Sequence, residues 1–306
     1  MPHSTPFHIK TISEYHRVLG LPKPLHPLVS LIRFEDMPYA PQKAPKAIIH
    51  NFYSIALKKS FHARLKYGQQ EVDFDEGILL FMAPLQLLTI EGPFETAASH
   101  QGWLLLVHPD LLWNTSLAKR IRQYEYFDYK ANEALHLSDA EEQLLINIMK
   151  NIQQEYSSRI DNFSIEVIIA QLELLFIYSE RFYQRQFITR KVSNHHIINR
   201  MEELLNDYFK GDLLQTQGLP TVTYLAAALK LSPNYLSRLL KTLTGLSTKD
   251  FIADKMIDLA KEMLSTTDLT MNEIAYSLGF EHPQSFGKLF KSKTSLSPLK
   301  FRQSFN

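Results

Sequence analysis

The pattern of apolar and polar positions in the amino-terminal third of the chain predicts short β-strands. Between Leu28 and Val107, short apolar runs are separated by turn-forming residues, and apolar and polar residues alternate along Phe61–Tyr67. Alternation with a period of two is typical of strands that bury one face. The predicted strands are Ala47–Leu57, Phe61–Tyr67, Glu71–Phe74, Ile78–Met82, Gln86–Ile90 and Gly102–Val107, with Tyr124–Tyr129 as a last one. Short strands at this spacing predict an antiparallel β-barrel or sandwich.

The apolar period becomes helical in the middle of the chain. Ser138 with Glu141 three residues later forms a capping-box pattern, which predicts the start of a helix that reaches about Tyr156. A second helix is predicted over Asp161–Gln186, and it is apolar almost all round along Val167–Tyr178. More than one side of that helix is therefore expected to be buried. A barrel and a second subunit could each cover one side, or the helix could be sandwiched within one subunit.

The apolar stripe is lost between Gln186 and His196, and a new amphipathic helix is predicted from Ile197 to about Lys210. Loss of the stripe is the pattern expected of a connecting segment. The sequence therefore predicts two domains, residues 1–187 and 197–306, joined by a linker at 188–196.

The carboxyl-terminal part repeats a unit made of a short helix, a tight turn and a second helix. The first copy is Leu225–Ser232 followed by Pro233–Lys241, and the second is Ile274–Phe280 followed by Pro283–Lys291. Residues 236–251 align with 286–301 without a gap, whereas the turn of the second copy is one residue longer. A repeat of this kind is typical of a double helix-turn-helix DNA-binding domain.

The second helix of each copy carries polar side chains opposite its apolar face. In the first copy these are Asn234, Ser237, Arg238 and Lys241, and the last two align with Lys288 and Lys291 of the second copy. Asn can pair with adenine, Arg with guanine, and Lys with phosphate. An ordinary solvated face explains such residues equally well on any single helix. It does not explain why basic positions recur in the same register.

Composition and charge permit this interpretation without requiring it. The chain of 306 residues is 45% apolar and 21% charged, as expected of globular domains, and it has no cysteine, which suits a reducing, cytoplasmic location. The net charge is +1, but from Leu213 onward 11 basic residues stand against 7 acidic ones. The amino terminus lacks the pattern of a signal peptide, and no apolar run is long enough to predict a membrane span.

These motifs resemble the carboxyl-terminal signature of the AraC family of bacterial transcription regulators. The matching residues are Ile274-Ala275, Gly279-Phe280, Phe286, Lys288, Phe290-Lys291, Ser297-Pro298 and Phe301-Arg302. The resemblance covers about Ile197–Phe305 and implies a reader of promoter DNA with two helix-turn-helix units in one chain. Carried over by position, it assigns DNA contacts to Asn234, Ser237, Arg238 and Lys241 in the first unit, and to His282, Gln284, Gly287, Lys288 and Lys291 in the second.

The amino-terminal half resembles, through Asp75–Pro84, the cupin-like sensor barrels of the same family. That resemblance implies a small effector bound in the barrel and a homodimer formed by the helices that follow it. RNA polymerase would be a further partner if the chain is an activator. The expected fold is therefore α+β: an antiparallel, cupin-like β-barrel with trailing helices, and then an all-α double helix-turn-helix domain.

The chain departs from the family pattern at three positions of the second unit. Ser295 stands where a glycine is usual, at a site expected to need a positive φ after the helix, which would cost about 1 kcal/mol. Gly287 offers no side chain to a base, and Lys288 stands where arginine is frequent. The second unit is therefore expected to hold phosphates more than it reads bases.

The alternative from another class is a cupin-type enzyme or small-molecule binding protein with a vestigial DNA-binding domain. Metal-dependent cupins need a His-x-His pair followed by Glu and His, whereas His62 is followed two residues later by Arg64. The adjacent His195 and His196 point apart and are poorly placed to share a metal ion. We therefore expect no enzyme activity, no metal site and no cofactor.

Overall fold

A computed structural model describes residues 6–37, 47–59, 65–67, 70–72, 77–89, 101–130, 133–158, 161–189, 191–211 and 213–304. The chain divides into two compact units, Met1–Gln186 and Phe187–Asn306. The described strands all lie in the first unit. They are β1 (Phe7–Ile9), β2 (Val29–Arg33), β3 (Ala47–His50), β4 (Tyr53–Lys59), β5 (Leu65–Tyr67), β6 (Gln70–Val72), β7 (Gly77–Met82), β8 (Leu87–Thr89), β9 (Gln101–Val107) and β10 (Leu135–Leu137).

The described strands form two open sheets and a short hairpin. The larger sheet has the order β10-β7-β4-β9-β2 and is antiparallel throughout. The smaller sheet has the order β1-β3-β8, with β1 parallel to β3, and β5 pairs with β6. The predicted α+β class is therefore confirmed, whereas the described strands form open sheets and do not show the predicted antiparallel β-barrel. Predicted strand residues 61–64, 73–74 and 90 lie outside the described part of the chain.

The two faces of the five-stranded sheet are buried in different ways. One face carries the buried residues Ile55, Leu57 and Phe81, and the Phe81 ring contacts those of Tyr126 and Phe127. The other face contributes Leu104 and other side chains to a second apolar cluster together with residues of the smaller sheet. Burial of both faces explains why β9 is almost continuously apolar rather than alternating.

The helices of the first unit are α1 (Ile12–Val18), α2 (Leu117–Arg120), α3 (Asp139–Ser157) and most of α4 (Ser164–Thr189). The capping box predicted at Ser138 and Glu141 is confirmed, since the Ser138 hydroxyl accepts from the Glu141 N–H and the Glu141 carboxylate accepts from the Ser138 N–H. The segment predicted as a strand at Tyr124–Tyr129 is instead a 3-10 helix over Glu125–Asp128. Its aromatic residues Tyr126 and Phe127 are buried on consecutive positions, whereas a strand with one buried face would bury alternate ones.

Helix α4 buries one side and exposes another apolar side. Leu172 and Phe176 are fully buried, whereas Val167, Leu174 and Ile177 are 39%, 40% and 49% exposed. The expectation that the helix is sandwiched on both sides within one subunit is therefore not met along these residues.

The second unit is helical along its described residues. Its helices are the end of α4, α5 (Lys191–Lys210), α6 (Leu213–Gln217), α7 (Val222–Ala228), α8 (Pro233–Thr244), α9 (Thr248–Thr266), α10 (Met271–Ser277), α11 (Pro283–Thr294) and α12 (Pro298–Gln303). The segment 188–196, predicted as a linker, is mostly helical, because α4 continues to Thr189 and α5 begins at Lys191. Asn194 is buried there and donates a hydrogen bond to the Phe187 carbonyl at 2.7 Å. A pattern of apolar residues cannot predict a buried polar side chain such as Asn194.

None of the described helices has a stretch both long and apolar enough to cross a membrane.

Candidate nucleic-acid interface

The first repeat consists of α7, a four-residue turn and α8. Thr221 caps α7 by accepting from the Tyr224 N–H at 3.1 Å, and Ser232 caps α8 by accepting from the Tyr235 N–H at 3.3 Å. Pro233 occupies the first position of α8, where its missing N–H removes no helical hydrogen bond. Side chains close in sequence therefore fix both helix starts and the turn between them.

Helix α8 buries an apolar face made of Tyr235, Leu236, Leu239 and Leu240. The four predicted DNA-contacting residues of this repeat lie away from that core. Asn234 and Lys241 are exposed, whereas Ser237 and Arg238 are half-buried.

The contacts of Ser237, Arg238 and Lys241 tie these side chains to the second unit. The Thr248 hydroxyl donates to Ser237 Oγ at 3.3 Å, and Lys241 Nζ donates to the Gly245 carbonyl at 2.9 Å, which satisfies a free carbonyl at the end of α8. The guanidinium carbon of Arg238 lies 5.7 Å from the ring centroid of Phe187. Thr248 and Phe187 were not predicted. Phe187 lies at the end of the apolar run of α4, where its position gave no sign that it belongs to the second unit.

The second repeat consists of α10, a five-residue turn and α11, so the predicted extra turn residue is confirmed. Its core residues Ile274 and Ala275 are fully buried, like the aligned Leu225 and Ala226 of the first repeat. In the turn, Gly279 has a φ of 78°, and an added Cβ would lie 2.8 Å from the Leu214 carbonyl oxygen. Glycine is therefore required there by backbone conformation and by space.

Helix α11 presents its predicted residues more openly than α8 does. His282, Gln284, Lys288 and Lys291 are all exposed, and a Cβ added at Gly287 would meet nothing within 4 Å. The core of this helix is aromatic, since Phe286 and Phe290 are almost fully buried, with ring centroids 5.7 Å apart. The exposed face thus carries two ammonium groups and no guanidinium.

Helix α9 connects the two repeats and is tied to the second one by charged groups. Lys293 of α11 lies 2.8 Å from Asp254 and 3.3 Å from Asp250 of α9. These carboxylates raise the pKa of Lys293, with the hydrogen bond to Asp254 as the largest cause. The pKa of Asp250 is lowered, first by the Ser247 hydroxyl and then by Lys293. Two acidic residues near the exposed basic face are thus neutralised by an internal partner.

Arg302 completes the scaffold. Its guanidinium donates to the carbonyls of Leu264 and Leu269 at 3.1 and 2.7 Å, and so satisfies backbone groups at and after the end of α9. This contact explains the aromatic-Arg ending of the predicted signature, because a lysine could not make both bonds with the same planar geometry.

Taken together, the two repeats, the connecting helix α9 and the exposed basic side chains define a double helix-turn-helix DNA-binding domain. Residues 225–304 match a family model described as a helix-turn-helix domain. This part of the chain is therefore a helix-turn-helix DNA-binding domain, similar to those of the AraC-type transcription regulators that the sequence resembles.

Known proteins are similar to this chain mainly in that domain. The arabinose operon regulatory protein of Escherichia coli is 36% identical over 72 residues, which is 24% of this chain and 25% of that protein. The uncharacterized HTH-type transcriptional regulator YfiF of Bacillus subtilis is 24% identical over 259 residues, or 83% of this chain and 77% of that protein. The carboxyl-terminal domain of the response regulator AraT from Geobacillus stearothermophilus is 28% identical, with a TM-score of 0.31 over 35% of this chain and 84% of that one.

The chain spans only 11% to 36% of the length of several other curated relatives that it matches. The similarity to these relatives therefore concerns the DNA-binding domain.

Proposed function

We propose that the whole chain is a sequence-specific regulator of transcription that reads promoter DNA through α8 and α11. The observation that carries this proposal is the aligned pair of helix-turn-helix repeats within a matched DNA-binding domain. Recognition helices of this kind enter the major groove and place a few polar side chains against base edges.

We propose that α8 reads bases and that α11 mainly binds phosphates. Asn234 and Arg238 of α8 have the chemistry to pair with adenine and guanine. The exposed Lys288 and Lys291 of α11 have the chemistry to hold phosphates. Gly287, which precedes them, has no side chain that could contact a base. His282 and Gln284 complete the proposed contacts of the second repeat, and Ser237 and Lys241 those of the first.

The test begins with genome-wide mapping of bound DNA, which supplies a bound promoter fragment for shift assays. Arg238→Ala should weaken binding to that fragment by about 1–3 kcal/mol and relax preference at one base pair, because one bidentate contact is lost. Lys291→Ala should instead weaken binding to all sequences alike and lower the salt dependence by about one ion.

Lys261→Ala is the matched control. Lys261 pairs with Asp258 within α9 and belongs to neither α8 nor α11, so its removal should leave binding nearly unchanged. Unchanged affinity and base preference in Arg238→Ala would contradict the proposed reading by α8.

We propose further that the chain acts as a homodimer through α4. Val167, Ala170, Leu174 and Ile177 are exposed and recur at spacings of three and four residues. This spacing places them in one seam, as in helices that pair side by side. An exposed apolar stripe of this kind is unfavourable in water unless a partner covers it.

The amino-terminal unit is proposed to be the cupin-like sensor of a small effector. What supports this is the sheet face that carries Ser54, Ala56 and Lys58, which are half-buried, opposite the fully buried Ile55 and Leu57. Burial lowers the pKa of Lys58 to about 8, so part of its population is neutral near physiological pH. Screening metabolites for a rise in the unfolding temperature, with Lys58→Met as a comparison, tests this proposal.

The enzyme alternative has less support. Among the described residues, no three His, Asp or Glu side chains come together so that they could hold a metal ion. Metal analysis of the purified protein beside the shift assay separates the two: bound metal without DNA affinity would favour the enzyme.

A further inference from the structure

The beginning of the second unit places an aromatic ring against the proposed base-reading arginine. Phe187 is fully buried, and its ring lies 5.1 Å from that of Tyr235, at an angle of 62° between the planes. The guanidinium carbon of Arg238, three residues further along α8, lies 5.7 Å from the same ring. One buried ring thus contacts both the core side and the polar side of α8.

The ring is held in place from its own backbone as well. The buried Asn194 carboxamide donates to the Phe187 carbonyl at 2.7 Å, which links the end of α4 to the first turns of α5. Packed against Tyr235 and anchored through Asn194, Phe187 has little freedom to change rotamer. It therefore presents a fixed aromatic surface to Arg238.

Such a surface restricts an arginine without using its hydrogen-bond donors. The attraction acts between the guanidinium charge and the face of the aromatic ring, and it needs no hydrogen-bond acceptor. A flexible arginine loses rotamer freedom when it pairs with a base, and prior ordering reduces that loss. A cation contact with the ring is thus compatible with bidentate pairing to guanine.

The two repeats differ at this position. Lys288, which aligns with Arg238, is exposed, whereas Arg238 is half-buried beside Phe187. The ordered arginine belongs to the repeat that also offers Asn234 to bases. The less restricted lysine belongs to the repeat proposed to hold phosphates.

We propose that Phe187 is a positioning residue that orders Arg238 for sequence-specific DNA reading. The proposal rests on the function proposed above, since it assigns a role to Phe187 only if Arg238 reads a base. It also implies that the DNA-binding domain begins at least ten residues before the predicted boundary at 197. Phe187 and Asn194 would then be needed for DNA binding, and both lie in the second unit.

The experiment compares full-length variants on the bound promoter fragment and on a scrambled duplex of the same length, by fluorescence anisotropy. Phe187→Leu keeps an apolar side chain but removes the ring. We expect about a three- to tenfold loss of affinity for the promoter fragment, little change for the scrambled duplex, and relaxed preference at the base pair that Arg238→Ala identifies. Adding Phe187→Leu to Arg238→Ala should cause no further loss of preference.

A second variant separates the ring's electrostatics from its packing. Pentafluorophenylalanine at position 187 keeps the shape and apolar surface of the ring but removes the negative potential of its face, on which the cation contact depends. It should reproduce the loss of preference while the thermal unfolding of the protein stays close to that of the wild type. This variant also decides the question if Phe187→Leu fails to fold. Ile188→Ala, at the exposed neighbouring position, is the control.

Three outcomes would overturn the proposal. Tighter promoter binding in both variants would mean that the ring masks Arg238. Equal loss on both duplexes would mean that Phe187 only supports the fold, and wild-type behaviour of the fluorinated variant would exclude a role for the ring face. A wild-type protein without preference for any duplex would instead contradict the proposed function itself, which the first measurement shows before any variant is tested.

Discussion

Left-handed backbone conformations occur at two equivalent positions of each repeat. Glycine occupies the position at the helix end in the first repeat and the position in the turn in the second. Gly245 ends α8 with a φ of 74°, and the aligned Ser295 ends α11 with a φ of 63°. In the turns, Gly279 has a φ of 78° and the aligned Lys230 a φ of 61°. The positive φ expected at Ser295 from the sequence is therefore confirmed. Each repeat holds one residue whose Cβ is strained by the conformation that the motif requires.

At this scale we predict that Ser295→Gly stabilises the carboxyl-terminal unit by about 0.5–1 kcal/mol, because it removes that strain without deleting a described side-chain contact. Gly245→Ser is the reciprocal control and should destabilise by a similar amount, since φ is positive there although a Cβ would meet nothing within 4 Å.

Urea unfolding followed by circular dichroism reports the change in helix content. The only tryptophans, Trp103 and Trp113, lie in the first unit, so their fluorescence transition should not move. A destabilised Ser295→Gly variant would show that the hydroxyl has a role that outweighs the backbone strain.

At the scale of elements, the sequence predicted best where local chemistry decides the structure. The helix start predicted at Ser138 is present, because Ser138 and Glu141 cap their own backbone, and Thr221 and Ser232 cap α7 and α8 in a similar way. The Tyr124–Tyr129 prediction was wrong, because its apparent alternation came from aromatic residues whose burial is set by distant partners such as Phe176. The contact between Phe187 and Arg238 could not be foreseen for the same reason, since it joins residues far apart in sequence.

The ion-pair cluster between α9 and α11 makes a prediction about acid. The folded pKa of Asp250 is lowered below its ordinary value of 3.8, so the carboxylate favours folding above that value. The stabilisation should be complete above about pH 5 and should be lost as the pH falls through the lowered folded pKa. Lys293→Gln should therefore reduce the loss of stability between about pH 5 and pH 3.

Lys261→Gln is the matched control for that measurement, because Lys261 pairs with Asp258 within α9 and joins no two helices. The pH dependence of the unfolding midpoint, measured by circular dichroism for the three proteins, checks the prediction. Identical acid profiles for wild type and Lys293→Gln would mean that the cluster contributes nothing to holding α9 against α11.

At the scale of the whole molecule, the proposed pairing of two chains along the α4 stripe would set how many DNA-binding domains act together. Val167, Leu174 and Ile177 are large apolar side chains on one seam, and each is at least 39% exposed. Two chains joined along this seam would bring four helix-turn-helix units to one promoter. When one DNA-binding domain of a dimer is bound, the second is held at a high effective concentration near the DNA. The dimer therefore binds more tightly without any new DNA contact, provided that the spacing of the DNA sites matches.

We therefore predict that Leu174→Glu combined with Ile177→Glu converts the protein to a monomer, because two charges in the seam cannot be buried without partners. Analytical ultracentrifugation should show the mass fall from twice 35.5 kDa to that of one chain. Leu25→Glu, at an apolar residue that is 72% exposed outside α4, is the control and should remain a dimer. The double variant should also lose affinity for a promoter with two sites while keeping wild-type affinity for a single site. A wild-type protein that is monomeric at all accessible concentrations, or a double variant that stays dimeric, would contradict dimerisation through α4.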